Sequence, residues 1–155
     1  MPRDPITAQI VSYQTEVIPI PDELAYETYV KNATGKIILA CFWPEDKTSR
    51  ILINQLTKRL PDIKNLEVQG VYSLDVYSLP KIAEELDITF VPTLMWFNDR
   101  VQDALVWHDG VRMEGEKVSG GVQRVLSRIA ESGLQDDGDD AWEGMGGIYR
   151  GVGSS

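Results

Sequence analysis

The sequence predicts an α/β fold, one central mixed β-sheet with helices on both faces. Three observations carry that expectation. Short apolar runs of strand length, Lys36–Trp43 and Leu94–Phe97, alternate with segments whose apolar residues recur at helical spacing. The resulting order is β, α, β, α, β, α, β, β, α, and such alternation closed by a terminal hairpin places helices on both sides of a mixed sheet. One proline, Pro92, interrupts the chain just before that hairpin.

Residues 6–20 are rich in Ile, Val, Thr and Tyr and partly alternate, which reads as a first strand. Asp22 is suited to cap a helix carrying Leu24, Ala25, Tyr29 (or Tyr26) and Val30, and Gly35 ends it. Lys36–Trp43 is almost continuously apolar, as a strand buried on both faces must be. Polar residues 44–50 lead into a helix with Ile53, Leu56, Leu60 and Ile63 on one face. A strand over Leu66–Leu74 and a short helix over Leu79–Leu86 follow, with Pro80 in the helix's first turn. Thr89–Phe97 is the next strand, Asn98-Asp99 a turn, and Val101–Trp107 the return strand. In the last helix Ser119 is placed to cap, Val122, Val125, Leu126, Ile129 and Ala130 share a face, and Gly133 closes it.

Composition excludes several classes of function. The 155 residues carry 24 acidic and 15 basic side chains, a net charge of −9, which opposes general nucleic-acid binding. One cysteine, Cys41, and one histidine, His108, exclude an internal disulfide and make a structural zinc site implausible; no metal and no cofactor are expected. No run of apolar residues is long enough for a membrane span, and no apolar signal core follows Met1. A cytoplasmic location is the expectation, with a nuclear one as the alternative. Asn32-Ala33-Thr34 matches a glycosylation sequon, which carries no weight without secretion.

The domain is expected over 6–134, after five loose residues. Residues 135–155 differ in character: six are glycine, and five acids against one arginine give −4. An acidic, glycine-rich flexible tail is the expectation. Trp142, Met145, Ile148 and Tyr149 within it are suited to docking on another protein or on the domain's own surface.

Three stretches together resemble the thioredoxin superfamily. Ile37–Trp43, ending in Phe-Trp, looks like the strand that delivers the family's active-site loop. Asp75–Thr93 looks like the stretch from an Asp-bearing strand end, through a Pro-started helix, to Val-Pro-Thr. Leu94–Phe97 matches the strand that follows. The likeness covers residues 36–132. It implies a cis peptide before Pro92 and a Val91 backbone that faces the active-site loop, where extended peptides pair by strand addition.

The chemistry that the resemblance would bring is missing. The family's Cys-x-x-Cys falls on Lys47-Thr48-Ser49-Arg50, its preceding Trp on Asp46, and its buried acid on Cys41. Disulfide exchange needs an attacking thiolate and a resolving thiol, and this loop has neither. Cys41, inside IILACFW, reads as a small apolar core residue. The chain is therefore expected to be a redox-inactive, non-catalytic adaptor or assembly factor whose partner is another protein.

The candidate contact residues are Trp43, Lys47, Thr48, Ser49, Arg50, Val91, Pro92, Thr93, Trp107 and His108, with the four tail residues beside them. Positions 47–50 open a helix, with Thr48 or Ser49 as cap, so an anionic group is the natural ligand for Lys47 and Arg50 there. That makes a non-redox enzyme acting on an anionic substrate the alternative. A residual thiol role for Cys41 ranks last.

Overall fold

A computed structural model describes residues 14–108 and 117–144. The early part of the first predicted strand, residues 6–13, lies outside them. So do Met145, Ile148 and Tyr149 of the tail.

The strands are β1 (Ile18–Pro19), β2 (Lys36–Phe42), β3 (Val68–Asp75), β4 (Thr93–Asn98), β5 (Val101–Gln102) and β6 (Trp107–His108). The helices are α1 (Glu23–Tyr26, continued as a π-helical turn over Glu27–Lys31), α2 (Lys47–Lys58), α3 (Leu60–Asn65), α4 (Pro80–Glu85) and α5 (Val118–Gly144). The sheet order is β1-β3-β2-β4-β5, with β6 also on β4. β1, β3 and β2 run parallel, and β4 is antiparallel to β2. This is the mixed sheet that the sequence predicts.

The pleat sorts the core into two layers. Ile38, Ala40, Leu94 and Trp96 point to one face, under Leu52 and Leu56 of α2, Ile63 of α3, and Val122, Val125 and Ile129 of α5. Ile37, Leu39, Cys41, Met95 and Phe97 point to the other, under Tyr26 and Val30 of the first helix and Ile82 of α4. That is why Lys36–Trp43 reads as continuously apolar. In β3 the alternation slips: Val68 lies on the same face as Val71 because the register shifts opposite Lys36/Ile37, leaving Gln69 extra.

Four expectations about elements need correction. The single helix carrying Ile53 to Ile63 is two. Pro61 has no N–H and would crowd the carbonyl four residues back, so α2 stops at Lys58 and α3 begins with Pro61 in its first turn. The return strand is also broken. Asp103 N–H bonds to Trp96 C=O (2.9 Å), its carboxylate accepts Leu105 N–H (2.9 Å), and Arg128 of α5 grips it twice, at 3.1 and 3.2 Å. The chain between β5 and β6 is thereby drawn out of the ladder. Ser119 lies inside α5, which already begins at Val118. Finally, α5 runs through Gly133 to Gly144, because an interior glycine weakens a helix by about 1 kcal/mol without forbidding it.

The hairpin turn is Asp99-Arg100, one residue later than expected, with φ of +49° and +74°. Asp99 holds its place by accepting Gly35 N–H on its carboxylate (2.7 Å) and donating its own N–H to Gly35 C=O (2.8 Å). Arg100 has no such compensation and carries left-handed strain of about 1 kcal/mol. Arg100→Gly is expected to raise stability by about that amount, read as a shift in urea midpoint at unchanged slope.

Candidate functional site

β2 and β3 end side by side, with Phe42 opposite Asp75, and β4 starts beside them, with Thr93 opposite Cys41. Residues 43–50, 75–79 and 90–93 therefore meet at one end of the sheet. β6 brings His108 to the same end through its pairing with Thr93. Sequence positions spread over 65 residues become one surface by topology alone.

The 43–50 loop is tied to itself. Asp46, not Thr48 or Ser49, caps α2: its carboxylate accepts Ser49 N–H at 2.8 Å. Ser49 is buried, and its hydroxyl accepts Trp43 N–H at 3.3 Å. Arg50 turns back and donates to Pro44 C=O at 3.0 Å. The negative group that Lys47 and Arg50 call for at this helix end is supplied by the chain's own Asp46. Of the loop, Trp43, Lys47 and Arg50 are exposed and Thr48 is half-buried. Asp46→Ala is expected to cost about 1 kcal/mol through loss of the cap, measured by denaturant unfolding.

Two further loops present aromatic rings. Asp75 organises the first by accepting Tyr77 N–H (3.0 Å) and Ser78 N–H (3.3 Å) on one carboxylate oxygen, an Asx-turn, and the Ser78 hydroxyl on the other (3.0 Å). Tyr77, 68% exposed, meets Trp43, 39% exposed, with ring centres 5.2 Å apart. Phe90, 50% exposed, stacks flat on His108 at 4.6 Å. Between these pairs lies Val91-Pro92, whose peptide bond is cis. The Thr93 hydroxyl donates to Phe90 C=O and ties this loop to the start of β4. Val91 N–H and C=O have no hydrogen-bond partner among the described residues.

Several expected contact residues are thus supports. Ser49, Pro92 and Thr93 are buried and shape the loops. Trp107 is a clear correction: it is 1% exposed and packs in the core against α5, since it pairs with Leu94 and shares that residue's inward face. Tyr77 and Phe90 were absent from the sequence expectation. Their signal was available: each is an aromatic in a short loop directly flanking a strand end of the site. Trp142 lies within α5, which starts beside this surface and at 27 residues extends about 40 Å from it.

Cys41 lies in the core layer of Leu39, Leu74 and Met95. It is fully buried, and burial pushes its thiol up to about 12. No group of His, Cys, Asp and Glu able to hold a metal occurs among the described residues, and no helix there is long and apolar enough to cross a membrane.

Neither a family model nor a curated protein matches the chain. Solved structures do. The thioredoxin of Malassezia sympodialis superposes with a TM-score of 0.61 at 14% identity, covering 76% of this chain and 93% of that one. The thioredoxin of Fasciola hepatica gives 0.57 at 12%, covering 73% and 99%. A variant thioredoxin of Halobacterium salinarum gives 0.57 at 13%, covering 75% and 92%. At these identities the likeness is one of fold, and the chain has the thioredoxin fold.

Proposed function

We propose that this thioredoxin fold serves as a binding module, an adaptor or assembly factor that holds another protein at the Val91 face without exchanging disulfides. One observation carries the reading. Six large apolar side chains are exposed among the described residues, and three of them, Trp43, Tyr77 and Phe90, sit in the loops that meet at the Val91 end of the sheet, where the Val91 backbone has no partner among the described residues. Aromatic anchors beside an open backbone edge suit a segment added in strand fashion, main chain giving affinity and rings giving grip. The alternative of an anionic substrate at Lys47–Arg50 has no comparable support, since Asp46 fills that helix end.

The test is recovery of a stoichiometric protein partner with the tagged full chain from its host, compared with a Tyr77→Asp/Phe90→Asp double variant. Recovery is expected to fall at least ten-fold in the variant while its circular dichroism stays unchanged. Insulin-disulfide reduction by the wild type is expected to equal that of Cys41→Ala. Equal recovery by wild type and variant would remove the Val91 face from the account, and reduction above the Cys41→Ala level would restore a redox role.

A further inference from the structure

We infer that a cleft beside the Val91 face selects partner segments that offer a lysine or arginine side chain; this rests on the binding role proposed above. The cleft holds about 430 Å³, within the range of ligand sites, roughly 300–1,000 Å³. It opens between the end of α4 and strands β4 to β6, on the face of the sheet opposite α2 and α5. Thr93 and His108 form its near end, so it continues directly from the site.

Its chemistry is graded. Ile88, Met95 and Val106 give an apolar stretch, and Glu85 and Asp87 bring carboxylates to the same cleft. Among the described residues no lysine or arginine lines it. A lysine or arginine side chain has the matching order, an aliphatic stem followed by a cationic head. The two acids are not fully spent elsewhere. Asp87 is fixed at the end of α4 by a left-handed backbone (φ +58°) and an N–H bond to Glu84 C=O, and its carboxylate has no partner among the described residues. Glu85 pairs with Lys31 at 3.2 Å, but both side chains are about half exposed, and such a pair yields cheaply to a better-placed cation.

Two further arguments favour a cationic occupant over a purely apolar one. A segment added along Val91 would send alternate side chains to each face, so one of them can enter this cleft while its neighbours meet the aromatic rings. The chain's net charge of −9 also draws positive partners from a distance and repels acidic ones.

The test uses two capped heptapeptides of alternating serine and valine, one with a central lysine and one with a central glutamate, titrated into the full chain by NMR. The lysine peptide is expected to shift the amides of Val91, Thr93 and Asp87 and to bind at least five-fold tighter. That preference is expected to vanish in Glu85→Gln/Asp87→Asn and to shrink in high salt. Equal binding of the two peptides, or a preference kept by the double variant, would overturn the charge selection while leaving the Val91 face in place. If neither peptide moved the amides around Val91, both this inference and the reading beneath it would fall.

Discussion

Gly121→Ala is expected to destabilise the protein by about 3 kcal/mol, lowering its melting temperature by about 10 °C. A Cβ at this point of α5 would lie 2.2 Å from Trp107 Cε2 and 2.5 Å from its Nε1. The ring cannot withdraw. It is 1% exposed, and Leu94, Val118 and Val122 share its cluster. Only a shift of the helix or of β6 relieves the overlap, and interiors packed to crystal-like density resist both. The attribution to Trp107 has its own check. Trp107→Leu should cost stability alone, yet in the Gly121→Ala background it should cost far less, a coupling that a double-mutant cycle measures. Additive losses would mean that the helix, not the ring, suffers from the new methyl group.

Arg128→Ala is expected to cost about 2 kcal/mol at neutral pH, because it strands the Asp103 carboxylate, whose side chain is only 13% exposed. Burial alone would raise that carboxyl. The hydrogen bonds from Arg128 and Leu105 N–H and the Arg128 charge outweigh it and hold the carboxyl below its ordinary 3.8. Trp96 adds to the pull, although its indole N–H falls short of hydrogen-bond geometry. The sign follows from linkage. A carboxyl depressed in the folded state stabilises fully above the unfolded value and loses that contribution as pH falls through the folded one. Wild type and Arg128→Ala should thus differ most above about pH 5 and converge below pH 3.8 in parallel denaturant titrations. The variant should also loosen the segment between β5 and β6, seen as faster amide exchange at Leu105.

Most of the fold was legible because burial on both faces leaves an unmistakable run, as in Lys36–Trp43 and Leu94–Phe97, and because Pro92 falls at a fixed distance from both. The breaks were harder. Pro61 could have been read as the end of α2, since its effect is local and steric. Asp103 could not, because the break depends on Arg128, 25 residues away. The same break hid Trp107. An aromatic in an edge strand faces in or out according to register, and the excursion at 103–106 resets that register. The site suffered from a different limit. Motif position marks where a family does chemistry, whereas a binding face is built from what remains exposed. Tyr77 and Phe90 belong to the second category, Ser49 and Thr93 to the first.

The binding role requires that a partner protein touch the Val91 face without thiol chemistry. Placing a photo-crosslinking phenylalanine analogue at Phe90 measures this directly, with the same analogue at Val101 as control. Val101 is more exposed, at 68% against 50%, but pairs with Asn98 at the opposite end of the sheet. The expected result is a discrete protein adduct from position 90 in host extract, little from 101, and an undiminished yield in the Cys41→Ala background. An adduct that forms equally from both positions, or only when Cys41 is present, would contradict it.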